Sequence, residues 1–248
     1  VSGDPDQASA DDAPCRAAIL FEASIQLEAF SSRLRGVVTN RTAQLDFLVG
    51  GYNGHRIVAA AYEKKNDSPH QIVEMIRTGH RPKVIIVAGK GLGLTAQLQV
   101  GDIVVANEIV TCSGRELTID FQASPRDRMH IGRVVTIDTW LDQPDARHAL
   151  ARQTNAIAAD LVSFPFAAVC LQNGVPFMSV RVITESVDDT RPHDILHLEK
   201  QKSLVGKTGA FTGAFWRRPG SLKDLWKLKE RDYETSDRLA TFLGSVFN

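Results

Sequence analysis

A glycine-rich segment follows an apolar run near the middle of the chain. The run 83–89 reads KVIIVAG, and Lys90-Gly91-Leu92-Gly93-Leu94 comes directly after it. Successive backbone N–H groups in a glycine-rich loop at a strand end favour anions, so the segment can contact a phosphate. It has neither the Walker spacing G-x-x-x-x-G-K-S/T nor the Rossmann spacing G-x-G-x-x-G, which argues against nucleoside triphosphates and NAD. A strand-end turn without a ligand is the alternative.

Two histidines and the three cysteines are the candidate metal ligands in the sequence. His193 and His197 are four residues apart, but no H-E-x-x-H pattern surrounds them, and a polar loop explains them equally. Cys15, Cys112 and Cys170 are odd in number and contain no C-x-x-C pair, so neither a disulfide framework nor a zinc knuckle is indicated. We therefore predict no metal site, ordinary buried or partly buried thiols and a reducing, cytoplasmic setting.

The composition limits the protein class. The 248 residues are 43% apolar, and 29 basic residues balance 29 acidic ones. This predicts a folded core without the positive charge typical of general nucleic-acid binding. No apolar run approaches the roughly 20 residues of a membrane span. Residues 1–14 carry four aspartates and no base, which predicts a flexible acidic tail rather than a secretory signal, followed by one domain over 15–248.

Strand and helix patterns alternate along this domain. In the first half they predict a strand at 17–21 leading into a helix, a hairpin of 44–51 and 56–62 around Asn53-Gly54, a helix at 68–80 and a strand at 83–89. In the second half they predict strands at 101–109, 133–137 and 175–185 and helices at 144–158, 160–171 and 235–247. The alternation indicates an α/β three-layer sandwich around a mixed central sheet.

Residues 200–230 differ in character from the rest of the chain. They mix lysine, arginine and glycine with Phe211, Phe215, Trp216 and Trp226. We interpret them as an insertion before the last helix. It acts either as a lid or subunit contact, or as a basic, aromatic surface for a partner or a membrane.

Four segments in order resemble the nucleoside phosphorylase superfamily. They are the glycine segment 89–94, Val-Gly-Asp-Ile-Val-Val at 100–105, Val-Val-Thr-Ile-Asp at 134–138 and Val-Pro-Phe-Met-Ser-Val-Arg-Val-Ile at 175–183. The likeness spans residues 16 to 198 and is greatest to methylthioadenosine/S-adenosylhomocysteine nucleosidases and purine nucleoside phosphorylases. It implies cleavage of a ribose N-glycosidic bond and a homo-oligomer. No cofactor is implied, although phosphate is a possible co-substrate.

The resemblance assigns roles on the leaving-group side. The family has a Ser-Asp pair that protonates the purine, and this chain has Thr184-Glu185, which makes Glu185 the acid candidate; Asp188 and Asp189 are nearby substitutes. Where the nucleosidases place an aromatic and then an aliphatic residue against the base, this chain has Trp140-Leu141. An aromatic ring there can stack on a purine.

On the sugar side the chain departs from the family. The ribose-binding Met-Glu pair corresponds to Leu161-Val162, with Asp160 at the preceding acidic position, so the expected carboxylate is replaced by an apolar side chain. The glutamate that activates water corresponds to Gln26. Gln cannot act as a base, and a shift of register brings Glu22 or Glu28 inward instead.

The remaining contacts concern the glycine segment. Gly89, Lys90 and Gly91 are expected to contact phosphate, water or the ribose, with Arg41 or Arg56 as further basic groups for phosphorolysis. Arg181 is expected to pair with Asp102 or Glu108 at the end of the sheet. The sequence thus predicts purine nucleoside cleavage by phosphorolysis or hydrolysis. The alternative is a catalytically degenerate member that binds a nucleoside-like ligand or a partner without cleaving.

Overall fold

A computed structural model describes residues 15–42, 44–62, 68–120, 126–190 and 219–248, with the backbone alone for 219–225 and 227–228. Ten strands and five helices occur in these ranges. In chain order they are β1 (Ala17–Phe21), α1 (Ser24–Ser31), β2 (Arg35–Arg41), β3 (Asp46–Tyr52), β4 (His55–Ala61), α2 (Pro69–His80), β5 (Ile85–Gly93), β6 (Ile103–Thr111), β7 (Glu116–Thr118), β8 (Met129–Thr136), α3 (Pro144–Thr154), β9 (Ala158–Asp160), α4 (Ser163–Gln172), β10 (Phe177–Glu185) and α5 (Pro219–Ser245).

All ten strands form one mixed sheet, in the order β10-β6-β8-β9-β5-β1-β4-β3-β2, with β7 beside β6. β10 also pairs with β5 in parallel, so one side of the sheet closes on itself through five strands. β1 pairs in parallel with both β4 and β5 and is buried along its whole length. The continuous apolar runs of β1 and β5 are typical of strands that are covered on both faces.

Helices cover both faces, as the predicted three-layer sandwich requires. On one face, α2 and α4 pack against the sheet through apolar residues such as Ile76 and Phe166. On the other, α1 and α5 pack through Phe30 and Leu243. The fold class predicted from the sequence is therefore confirmed. In the described part of the chain, no helix combines the length and apolar character needed to cross a bilayer.

Local signals placed several elements correctly. Asn53 and Gly54 both have positive φ, 47° and 76°, as a type I′ turn between β3 and β4 requires. α2 follows Ser68 with Pro69 in its first turn and ends at His80, and the next residue, Arg81, has φ 47°. The strand-to-helix order of β1 and α1 was also predicted correctly.

Other predictions were wrong in their bounds. The helix predicted at 144–158 ends at Thr154, and its buried residues are Arg147, Leu150 and Thr154, while Ala146 and Ala149 are exposed. The helix predicted from 160 begins at Ser163, because 158–160 pair as β9. The edge strand β2, exposed at every residue, gave no apolar pattern to detect.

The last helix begins at Pro219 instead of 235, so residues 219–230, assigned to the insertion, are helical. The rest of the insertion, 200–218, lies outside the described residues, as do the tail 1–14 and the histidines at 193 and 197. Cys15 and Cys170 are buried, and burial raises the pKa of these thiols to about 11 and about 12. Cys112 is exposed.

Candidate active site

The carboxyl end of β1 lies beside β5 and β10, which run on past it to Gly93 and Glu185 at the same edge of the sheet. Phe21 on β1 and Val180 on β10 both pair with Ala88 on β5. The next residues along the three strands are Glu22, Gly89 and Arg181. In α/β proteins ligands bind outside the carboxyl ends of parallel strands, so this edge is the candidate site.

Arg181 is the centre of a buried network at this edge. Its side chain is completely buried; Nε lies 2.7 Å from Asp160 Oδ2, Nη2 donates to Ser163 Oγ at 2.9 Å, and Nη1 donates to Glu22. Burial by itself lowers the pKa of Arg181, but the carboxylates of Asp160 and Glu22 outweigh it and raise the pKa above the ordinary value. The expected partners of Arg181 were wrong, because Asp102 pairs with Arg128 and Glu108 with Arg133.

The glycine segment is a strand, not a loop. Residues Gly89 to Gly93 continue β5, and Gly89, Lys90 and Gly91 pair with Arg181, Val182 and Ile183 of β10. A Cβ on Gly89 would lie 2.5 Å from Glu22 Cδ and 2.6 Å from Arg181 Nη1, and one on Gly91 would lie 2.9 Å from Arg181 Cβ. The predicted phosphate-cradling loop is therefore corrected. The first two glycines make room for the Glu22–Arg181 pair.

Glu22 is the member of the network that is partly open to solvent. Its side chain is 20% exposed, whereas the side chains of Arg181 and Asp160 are fully buried. Burial raises the pKa of Glu22; Arg181 opposes the rise and Asp160 adds to it. Of the three side chains, Glu22 is the one that a ligand approaching this edge can reach. The carboxyl group of Glu22 holds a proton more readily than that of an ordinary glutamate.

The other candidates on α1 lie differently. Gln26 is buried, and its Oε1 has no hydrogen-bond partner within the described ranges. Glu28 is exposed on the same helix. Of the two glutamates proposed as replacements for Gln26, the structure thus places only Glu22 in the network.

Asp160, Leu161 and Val162 connect β9 to α4. Asp160 Oδ1 accepts hydrogen bonds from Thr136 Oγ1 at 2.8 Å and from the backbone N–H groups of Val162 and Ser163 at 3.2 Å. Asp160 therefore fixes the turn between β9 and α4 and orients Arg181. Val162 is buried in the core, and Leu161 packs half-buried beside it.

Glu185 and Trp140, predicted from separate segments, are in direct contact. Trp140 Nε1 donates to Glu185 Oε1 at 2.9 Å, and Arg147 Nη2 donates to Glu185 Oε2 at 2.6 Å. Arg147 is fully buried and also donates to the carbonyls of Leu141, Ser186 and Asp189 at 2.7–2.9 Å. Both carboxylate oxygens thus accept from donors, an arrangement that suits an ionised carboxylate better than an acid.

Sequence reasoning missed Arg147. The signal was its position three residues before Leu150, on the same face of α3, which made it a candidate for the buried side of the helix. The alternative acids lie outside this contact. Asp188 pairs with His148 at the surface, and Asp189 Oδ2 accepts from the Ser186 N–H at 3.0 Å.

Lys90 points to the opposite face of the sheet. Its Nζ lies 2.7 Å from Asp232 Oδ1 on α5, and Arg231 of the same helix donates to the carbonyl of Thr184 at 3.3 Å. The other basic candidates are remote: Arg41 is exposed on the edge strand β2, and Arg56 lies at the amino end of β4. Among the described residues, no three His, Cys, Asp or Glu side chains are grouped as metal ligands.

Comparison with known proteins finds similarity to one superfamily. Residues 117–212 match the family model of the phosphorylase superfamily. A methylthioadenosine/S-adenosylhomocysteine nucleosidase of Exiguobacterium is 27% identical over 136 residues, which are 44% of this chain and 58% of that protein. The corresponding Shewanella protein is 23% identical over 199 residues, 68% of this chain and 86% of its own length.

Solved structures share the fold over nearly the whole chain. A Helicobacter pylori nucleosidase of the same name, bound to butyl-thio-DADMe-Immucillin-A, superposes with a TM-score of 0.68 and 15% identity, covering 94% of this chain and 98% of that one. The futalosine hydrolase of the same organism superposes with a TM-score of 0.65 and 13% identity, covering 94% of this chain and 97% of that one. The family model, the relatives and the shared fold support the resemblance to the phosphorylase superfamily that the sequence motifs predicted.

Proposed function

We propose that the protein hydrolyses the N-glycosidic bond of a nucleoside or related ribosyl compound, with a purine as the leaving base. The observation that carries this proposal is the Glu22–Arg181 pair where β1 ends beside β5 and β10, packed against glycines that leave no room for a side chain. The nucleosidases and the futalosine hydrolase described above support an enzyme of this class.

Glu22 is the proposed water activator. Cleavage passes through a sugar with oxocarbenium character, which a positioned water attacks while the base departs. The raised pKa of Glu22 brings its proton affinity closer to that of a base working near neutral pH. Arg181 holds the carboxylate in place, and Asp160 holds Arg181.

Glu185 and Trp140 are the proposed leaving-group contacts. Because Arg147 and Trp140 donate to Glu185, its carboxylate is suited to accept a hydrogen bond from a base that has taken up a proton. The Trp140 indole, partly buried beside it, provides a ring on which a base can stack. This refines the role of general acid expected from the sequence.

Water is favoured over phosphate as the nucleophile. Two cations on the strands that carry or adjoin the glycines, Arg181 and Lys90, are each paired with a carboxylate in the structure. A phosphate dianion would have to displace one of these pairs. Phosphorolysis therefore requires a rearrangement that hydrolysis does not.

The test is release of free base, measured by chromatography. We would incubate the protein with purine and pyrimidine nucleosides, including 5′-methylthioadenosine and S-adenosylhomocysteine, with and without phosphate. Hydrolysis predicts equal release in both conditions and a loss of at least a hundredfold in Glu22→Gln. Glu28→Gln, an exposed acid on the adjoining helix, is the matched control. Release that requires phosphate would contradict the hydrolytic proposal.

A catalytically degenerate binder is the second candidate. Gln26 and Val162 stand where the family resemblance requires glutamates, and this observation favours it. A nucleoside that raises the melting temperature without being cleaved would support this candidate. A partner or membrane would then be sought for residues 200–230.

Three further properties belong to the proposal. The chain from residue 15 onward is taken as one domain, and the resemblance favours a homo-oligomer. The unpaired cysteines favour a cytoplasmic location.

A further inference from the structure

Tyr62 lies beside the Glu22–Arg181 pair and was not detected in the sequence. It directly follows β4, and its N–H donates to the carbonyl of Phe21 at 3.0 Å, which places it next to the residue before Glu22. Its ring packs edge-on against Phe166 of α4 with the centroids 4.9 Å apart. The backbone and the ring are therefore both fixed by the fold.

The hydroxyl of Tyr62 has no hydrogen-bond partner among the residues that the structure describes. The residue is only 3% exposed, and its oxygen is buried without any hydrogen bond. Buried hydroxyl groups in native proteins are nearly always hydrogen-bonded, and a phenylalanine would pack in the same space without the unpaired oxygen. An unsatisfied hydroxyl at this position indicates that something else binds it.

The surroundings of the hydroxyl define its chemistry. The charges of Glu22, Arg181 and Asp160 all act on it. Burial and the neighbouring Glu22 carboxylate raise its pKa well above the ordinary value, so it keeps its proton and acts as a donor. Glu22, whose charge acts on the hydroxyl, is an acceptor. A donor and an acceptor at one site complement a neutral sugar hydroxyl, which both accepts and donates.

We propose that the Tyr62 hydroxyl binds a ribose hydroxyl of the substrate and so replaces the sugar-binding carboxylate that is absent at Val162. This inference rests on the proposed function, because it assigns a sugar contact to that same site. It makes Tyr62 a specificity-determining residue: the enzyme distinguishes ribosides from the deoxyribosides that lack the bound hydroxyl.

The experiment compares adenosine and 5′-methylthioadenosine with their 2′-deoxy and 3′-deoxy analogues. Wild type, Tyr62→Phe and Tyr52→Phe are assayed for kcat/KM, and for Kd by calorimetry. Tyr52 is the matched control, because it packs on the other face of the sheet against Phe30 and Phe247. We expect Tyr62→Phe to lose about tenfold on the ribosides and less than about twofold on one deoxy series, which corresponds to one lost hydrogen bond. Tyr52→Phe should keep the wild-type preference.

A stability measurement separates this role from a structural one. Without ligand, Tyr62→Phe should be at least as stable as wild type, because it removes an unpaired buried hydroxyl. Equal losses on all substrates, an unchanged riboside preference or a destabilised variant would overturn the inference. If wild type binds nucleosides without cleaving them, hydrolysis fails as the function and the Kd values alone decide the role of Tyr62. If wild type neither binds nor cleaves, both proposals are wrong.

Discussion

Arg147 Nη2 donates to Glu185 Oε2 at 2.6 Å, and both residues are buried. Arg147 comes from α3, and Glu185 from the end of β10. The same guanidinium also donates to the carbonyls of Ser186 and Asp189. One side chain therefore fixes both the carboxylate and the turn that follows it.

Arg147→Met should destabilise the protein by about 3–5 kcal/mol, because it leaves the Glu185 carboxylate buried without its cation. Arg152→Met is the matched control: Arg152 is exposed on the same helix, and the change should cost less than about 0.5 kcal/mol. Urea unfolding followed by circular dichroism gives both values. Equal effects of the two substitutions would mean that the pair does not stabilise the fold.

Gly89→Ala and Gly79→Ala should change the stability of the protein in opposite directions. The Cβ at residue 89 would collide with Glu22 and Arg181, so we expect a destabilisation of about 1–3 kcal/mol and a loss of activity. Gly79 lies in α2 with open space around it, and alanine there should stabilise by about 0.5–1 kcal/mol. Thermal unfolding of both variants checks the signs. A neutral Gly89→Ala would show that the Glu22–Arg181 pair is not packed against β5.

Gly89 and Gly91 illustrate what sequence patterns can and cannot predict. Local signals were sufficient for the Asn53-Gly54 turn and for the α2 helix, because they depend on neighbouring residues. Gly89 and Gly91 were assigned to a loop, since a glycine-rich segment has the same local signature in a turn and in a strand. Their true role depends on Arg181, which is distant in sequence and pairs across the sheet.

The same reasoning applies to the candidate site. Glu185 and Trp140 were predicted from separate motifs, and the structure brings them into contact. Arg147 and Tyr62 were missed, because an arginine in a helix and a tyrosine after a strand are common at the surface. Only the tertiary packing shows that both are buried.

The value of kcat/KM should fall at acid pH, and the protonation of Glu22 should set the pH at which it falls. As a base, Glu22 must be ionised, and its pKa is raised from the ordinary 4.5 by burial. The acid limb of kcat/KM should therefore lie above pH 4.5 and persist in Glu28→Gln. A limb at or below pH 4.5 would argue against Glu22 as the base.

The ionisation of Glu22 should also make the free energy of unfolding depend on pH, in a direction set by the raised pKa of Glu22. A carboxyl whose pKa is higher in the folded state binds protons more tightly there, so its contribution is complete below pH 4.5 and declines as pH rises through the folded value. The free energy of unfolding of wild type should accordingly decrease relative to Glu22→Gln as the pH rises from 4.5. Urea titrations between pH 4 and 8 measure this difference, and a constant difference would contradict the shift.

Asp160→Asn tests the ion pair between Asp160 and Arg181. Asp160 is fully buried, lies 2.7 Å from Arg181 Nε and accepts from the N–H groups of Val162 and Ser163. An asparagine can keep part of these backbone hydrogen bonds but not the ion pair, so we expect a loss of about 3–5 kcal/mol in unfolding free energy. Asp188→Asn, at an exposed aspartate paired with His148, should change it by less than about 0.5 kcal/mol. The residual Asp160→Asn activity is also informative. If Asp160 only positions Arg181, kcat should fall while the Kd for nucleoside changes little, whereas a direct sugar contact would weaken binding as much as catalysis.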